Sequence, residues 1–310
     1  MSTANEAWPT LPLDGWRDTY ATLHLWTQMV GKTRLALSPM ENHWWHVALY
    51  VTPRGLSTSP VPHGDDTFEV AFDFIDHRLV VRTSDGRTAS MPLAPRTVAD
   101  FYRDYVALLG SLGIEARIRP VPAELPEVIP FAEDRVHASY DPEAAERCWR
   151  AMVQVDRVLK RFRGRFLGKS SPVHFWWGAF DLACTRFSGR AAPRHPGGIP
   201  NLPDYVAVEG YSHECISAGW WPGGNGVDEP CFYAYAYPEP AGCPEARVLP
   251  AAAHYHMGLR EWILPYEAVR TAPDPDAALL DFLQSTWAAA ADLGGWDRAA
   301  LERPEAAAAG

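Results

Sequence analysis

Lysine is nearly absent. Lys32, Lys160 and Lys169 stand alone among 28 basic side chains, the rest being arginine, a bias that a GC-rich genome accounts for without any function. Basic charge is short overall as well: 38 acidic residues against 28 basic ones leave a net charge of −10. A general binder of nucleic acid or of an anionic membrane wants the opposite balance. No apolar run approaches the ~20 residues that span a bilayer. The opening MSTANEAWPTLPLDGW has neither a basic stretch nor an apolar one, so no secretory leader is expected. Cysteine is scarce too. Cys148, Cys184, Cys215, Cys231 and Cys243 are odd in number and lack CxxC spacing, which excludes a simple disulfide frame or zinc cage. Together these absences point to the cytoplasm and to a small-molecule partner, with no nucleic acid and no membrane.

What is present is aromatic. Thirteen tryptophans occur in 310 residues, six of them paired as Trp44–Trp45, Trp176–Trp177 and Trp220–Trp221. Hydrophobic residues at 47% and charged ones at 21% make an ordinary globular mix with enough apolar side chains for a sizeable core.

The patterning predicts an α+β fold in two similar α-β-β-β-α halves. In each, a mainly antiparallel sheet has helices on one side, and the halves are related by a pseudo-twofold axis. In the first half, apolar spacing predicts a helix over Trp16–Leu37, ending in Gly31-Lys32-Thr33. Strands follow at 43–52, 67–75 and 79–84, the last closed by Asp85-Gly86, then a helix over Val98–Leu112 and a further strand at 114–120. In the second half, Asp141-Pro142-Glu143 is a helix start, with a capping acceptor, proline in the first turn and then an acid. That helix runs to Phe166, and Gly168-Lys169-Ser170 follows. Strands at 173–187, 213–221 and 231–237 precede a helix over Pro275–Leu293. Arg54 follows Trp45 by nine residues, as Arg186 follows Trp177, which supports a tandem duplication. The divisions are 1–118, a Pro-rich linker 119–131, a second half 132–300 carrying the site, and a disordered tail 301–310. Loops 189–205 and 222–230 are long enough to act as covers.

Two motifs fail. GRFLGKS (164–170) has three residues between its glycines where a phosphate loop needs four, and it follows a helix rather than a strand. RVLKRFRGRFLGK (157–169) reads as a solvated amphipathic helix, or else as an anion-facing or partner surface.

The chemistry is expected among the tryptophan-rich strands. Asp181 interrupts a very apolar run and needs a partner to be buried there. Glu69 and Glu214 pose the same problem, and structural salt bridges answer it as well as catalysis does. His43, His46, His174 and His213 lie in or beside the same strands. Buried, hydrogen-bonded histidines are the plain reading. The sharper one is a His/carboxylate site assembled from several strands. In it His174, Asp181, His213 and Glu214 are catalytic. Arg186 forks an anionic group; Trp176, Trp177 and Trp221 wall the pocket, with His46 and Arg54 at its margin. His174, His213, His46 and Glu214 would also be the set to take a divalent transition metal, the cofactor being otherwise unknown.

The segments NHWWH (42–46), SPVHFWWGAFDLACTRFSGR (171–190), HPGG (195–198), YSHE (211–214), WWPGG (220–224) and FYAYAYPEP (232–240) resemble a bacterial family known as a domain of unknown function. The resemblance covers nearly the whole chain. It implies one stand-alone unit and brings no activity, cofactor or fold. The reading that follows is a small-molecule enzyme with hydrolysis and oxidation both open. Its alternatives are a non-catalytic binder of a small ligand, or an interaction protein using the helix at 157–169.

Overall fold

A computed structural model describes residues 7–224 and 227–303. Helix α1 (Arg17–Leu37) is buried along most of its length. It does not stop at Gly31-Lys32-Thr33, because that triplet lies inside it where Trp177 presses against the backbone. A Cβ on Gly31 would come within 2.1 Å of the indole.

A 3-10 turn, Asn42–Val47, replaces the first half of the strand expected at 43–52. His43 and Trp44 take left-handed backbone angles (φ 57° and 62°). Tertiary packing overrides strand propensity here: Trp44 turns to His46 and Tyr205, while Trp45 turns to His174 and Phe187. The first sheet then forms from β1 (Tyr50–Thr52), β2 (Gly55–Ser57), β3 (Val61–His63), β4 (Asp66–Asp73), β5 (Arg78–Thr83) and β6 (Thr88–Pro92). Its order is β1-β2-β4-β5-β6, with β3 on the end of β4, and every pairing is antiparallel. Helix α2 (Val98–Ser111) follows, capped by the Thr97 hydroxyl on Asp100 N–H.

Residues 114–120 form no strand, and 119–131 is not a free linker. Phe131 is fully buried, and Ala123 is held in both directions by the Gln28 amide, at 2.9 and 2.8 Å. Helix α3 (Pro142–Gly164) starts where the sequence places it, with Asp141 accepting from Glu143 and Ala144 N–H. The second sheet comprises β7 (His174–Trp176), β8 (Asp181–Ala191), β9 (His213–Trp221), β10 (Cys231–Tyr237), β11 (His254–His256) and β12 (Glu261–Pro265), with the short α4 (Asp204–Gly210) between β8 and β9. Its order is β11-β12-β10-β9-β8-β7, again antiparallel throughout. Helices α5 (Tyr266–Arg270), α6 (Pro275–Leu293) and α7 (Arg298–Leu301) complete the chain.

The fold is therefore α+β with two six-stranded antiparallel sheets. Their edges meet: Leu49 and Phe175 exchange backbone hydrogen bonds of 2.9 and 2.8 Å, joining the β1 side to β7. The Trp-Trp landmarks fall on different elements, one pair in the 3-10 turn and the other at the end of β7. Of the expected tail, 301–303 is held, with Leu301 and Arg165 carbonyls accepting from Leu167 and Arg303 N–H; 304–310 lies outside the described residues, as do 225–226 of the 222–230 loop.

Candidate functional site

Strand alternation sorts the second sheet into two unlike faces. Cross-strand pairs put Leu182, Cys184, Ile216, Ala218, Trp220, Phe232, Ala234, Trp262 and Leu264 on one face, against α3 and α6. Most of these are fully buried and apolar, as a helix-covered face requires. The same register sends Asp181, Thr185, Ser217, Tyr233, Tyr235 and Glu261 to the other face, with His174 and Trp176 beside them. This polar face is roofed. His195 stacks 4.7 Å from Tyr211, and Asn201 donates to the Leu125 carbonyl at 2.6 Å, so segments 119–131 and 189–211 both lie over it.

Helix α1 places the roof and the floor relative to each other. Tyr20, His24, Gln28 and Lys32 recur every four residues and so share one stripe. His24 Nε2–H donates to the carbonyls of Trp177 (3.0 Å) and Gly178 (2.9 Å), in the turn that delivers Asp181. That geometry fixes the tautomer, and burial pushes the imidazole down to about 4, so it is neutral. One turn on, Gln28 holds Ala123 and so sets the position of Glu124. The Glu124 carboxylate lies against Gly178, where a Cβ would meet Oε1 at 1.9 Å. A further turn on, Lys32 lies 5.3 Å over the Trp177 ring. Burial, helped by Arg119, pushes its ammonium down to about 8.

Three carboxyl groups result with unusual acidities. Asp181 is 8% exposed. Burial raises it to about 7 against the opposing hydrogen bond from the Tyr233 hydroxyl, and the Glu124 charge adds to the rise. Glu124 is raised to about 7 by burial, opposed by Lys32. Glu261 is raised to about 7 by burial and by Asp181. Among the described residues none of the three is bridged to an arginine or lysine. Each ionisation makes the next harder, so they titrate as a coupled set around neutrality. Hydroxyls complete the floor: Tyr211 with Tyr235 at 2.8 Å and Thr185 with Ser217 at 2.9 Å. Burial holds Tyr233 and Tyr235 protonated, well above the usual phenol range. Tyr233, Tyr235 and Glu261 nonetheless keep part of their surface open to solvent, as the floor of a recess does.

The residues expected at the site scatter more than they gather. Asp181, Trp176 and Trp221 reach the roofed face. His174 does too, diagonal to Asp181 across β7 and β8, a spacing of roughly 7–8 Å between Cα atoms. Burial, with Arg34 and Arg163 nearby, pushes His174 down to about 3, so it is neutral. Trp177 turns away and donates its indole N–H to Val47 O at 2.9 Å. His213 is exposed, with its ring 5.7 Å from that of His43. Glu214 points to the other face and accepts from Ser188 (2.9 Å) and Arg190 (2.7 Å). His46 is buried and accepts from Glu41 N–H at 3.3 Å.

Arg186 cannot fork a ligand beside Asp181. It is fully buried on the helix side, stacked 3.4 Å over the Phe162 ring and donating to the Phe162 carbonyl. Arg54 belongs to the first sheet, where it bridges Asp73 and Asp76, both at 2.6 Å. There too Glu69 accepts from Ser57 at 2.5 Å. The proposed metal set of His174, His213, His46 and Glu214 is not brought together. Among the described residues no three His, Cys, Asp or Glu side chains are grouped to hold a metal.

Sequence reasoning missed Glu124 and Glu261, and it gave the tyrosines no polar role. The YAYAY alternation of 233–237 and the four-residue spacing along α1 were the available signals. A groove of about 600 Å³ lies elsewhere, between α3 and the β1–β2 hairpin. Its charged lining is self-paired, Lys160 with Asp156 at 2.6 Å, so the roofed face carries the chemistry.

No curated protein and no solved structure matches the chain. A family model matches residues 8–303, almost the whole length, and the chain therefore belongs to a family of unknown function (DUF5996).

Proposed function

We propose that the chain is a small-molecule enzyme of the proton-transfer type, working on the roofed face of the second sheet. The observation that carries this reading is the trio Asp181, Glu124 and Glu261: three carboxyl groups, unbridged by any cation, poised near neutrality beside the Tyr233 hydroxyl. General acid–base catalysis is most effective when the catalytic acidity lies near the working pH. A salt bridge works against such a rise. Asp181 in its ionised form takes a proton from the substrate, and Glu124 or Glu261 in its acid form returns one at a second atom. Tyr233 stays protonated and holds the Asp181 oxygen in place. Trp176, Trp221 and Tyr20 wall the recess.

Isomerisation, elimination and metal-free hydrolysis all use this arrangement. A metal-dependent version has no ligand set to support it among the described residues. Among the described residues no helix is long and apolar enough to cross a membrane. All five cysteines are buried free thiols, which suits a cytoplasmic setting.

The test is a screen for turnover over small-molecule panels, followed by Asp181→Asn. The expected result is a bell-shaped pH profile centred near 7 and a loss in kcat/KM on the order of 10²–10⁴. An Asp181→Asn protein with undiminished turnover would sink the assignment.

A further inference from the structure

His174 has no hydrogen-bond partner at either ring nitrogen among the described residues, although it is fully buried. A neutral imidazole carries one donor and one acceptor, and leaving such a group buried and unpaired is costly. Native proteins rarely tolerate this without a reason.

A second orphan lies close by. Arg34 is 7% exposed; its Nη1 donates to the Ala48 carbonyl, but its Nε has no partner, and no carboxylate bridges it among the described residues. The two side chains flank one ring. The Arg34 guanidinium lies 5.1 Å from the Tyr50 centroid, and the His174 ring lies 5.6 Å from it. A buried guanidinium lacking a counter-ion is expensive, and a guanidinium beside an unpaired imidazole donor is the complement of an oxyanion.

We propose that Arg34 and His174 form a binding site for a small oxyanion beneath Trp45, suited to a monoanionic carboxylate carried on an apolar group. A single buried cation matches a single negative charge, whereas a phosphate dianion would need more. Trp45, Tyr50 and Trp176 surround the imidazole with ring centroids 5.0–5.9 Å away, which suits an apolar body behind the carboxylate. Trp45 is the cover. It rides on the turn whose residues His43 and Trp44 are left-handed, a costly conformation that tends to mark moving or functional segments. Lys169 lies 5.2 Å over its ring.

The experiment is a titration of the full-length protein, its histidines isotopically labelled, followed by NMR. The probes are benzoate, its neutral counterpart benzamide, and inorganic phosphate, all at constant ionic strength. A His174→Gln spectrum assigns the resonance. Benzoate should shift the His174 signals saturably, with benzamide and phosphate at least tenfold weaker. Arg34→Lys keeps the charge and loses the fork, and in it benzoate should bind at least tenfold more weakly while the circular dichroism is unchanged. Silent His174 signals, or equal binding in Arg34→Lys, would overturn the site. Equal response to benzamide would overturn anion recognition, and equal response to phosphate would overturn the carboxylate assignment. Nothing in the titration requires turnover, so it stands or falls apart from the proton-transfer reading.

Discussion

The two sheets treat the same side chain in opposite ways. In the first sheet Asp73 is buried, yet it ends below the usual carboxylate range. Burial works to raise it, but the Arg54 guanidinium at 2.6 Å and the N–H groups of Asp76 and Ile75 overcome that. In the second sheet Asp181 is set deeper and ends near 7, because burial outweighs the Tyr233 hydroxyl and its own backbone N–H. Both lie in antiparallel ladders of one chain. What differs is how deeply each carboxylate is set and the supply of cations around it. Around the second sheet Arg186 faces the wrong side, Arg190 is spent on Glu214 and Arg260 on Glu239. A fold able to pair its acids, and that does so in one half, leaves three unpaired in the other. Departures of this kind from local consistency are expected at functional sites.

The largest predicted effect tests the clamp that creates the difference. Gly31 lies inside α1 and Gly110 in the last turn of α2. Alanine usually stabilises a helix interior by roughly 0.5–1 kcal/mol, and Gly110→Ala should do so, since nothing lies within 4 Å of its Cβ position. Gly31→Ala should instead cost about 2–3 kcal/mol, because the methyl displaces Trp177 and with it the turn held by His24. Urea denaturation of the two variants measures both. Equal, favourable changes would mean that α1 does not fix the roofed face.

The next effect reverses sign between the sheets. The folded state holds the Asp181 proton up to about pH 7, while the unfolded chain releases it near 4. Stability should therefore fall as pH rises from 4 to 7 and stay low above it. Asp181→Asn removes that loss. The variant should be more stable than the parent at pH 8 and no different at pH 4. Asp73 has its folded value depressed, so its contribution is present above the ordinary carboxylate range and is lost as the pH falls through the folded value. Asp73→Asn should lower stability at neutral pH, by a smaller amount, with the difference vanishing in acid. Melting temperatures of both variants across pH 3–9 decide. Parallel curves would erase the contrast between the sheets.

Much of the frame could be read from local chemistry. Asp141-Pro142-Glu143 opens α3 as written, and Asp85-Gly86 turns the β5–β6 hairpin. Asp181 was found because a carboxylate in an apolar strand demands an explanation. The 42–47 turn was not legible, since its left-handed residues are held by partners far along the chain, such as Tyr205 and Phe187. Glu124 was hidden for the same reason: proline-rich sequence reads as linker, and only Gln28, bonded to Ala123 95 residues along the chain, makes it part of a site. Arg186 was legible and misjudged. It is five residues from Asp181 on one strand, and strand alternation puts residues an odd number apart on opposite faces.

The smallest predicted effect lies behind the sheet. Arg157 and Arg161 of α3 both reach Asp276 of α6, at distances up to 3.2 Å, and both are about half exposed. This pairing on the helix side resembles the ion pairs of the first sheet rather than anything on the roofed face. Surface bridges of this kind contribute about 0–1 kcal/mol and weaken with salt. Arg157→Ala and Arg161→Ala should each cost no more than that, with the loss shrinking further at high ionic strength. Neither should alter benzoate binding at His174 or turnover at Asp181, because the sheet stands between. A change in either would show that the arginine stretch communicates with the recess, and the division of labour between paired and unpaired acids would have to be redrawn around α3.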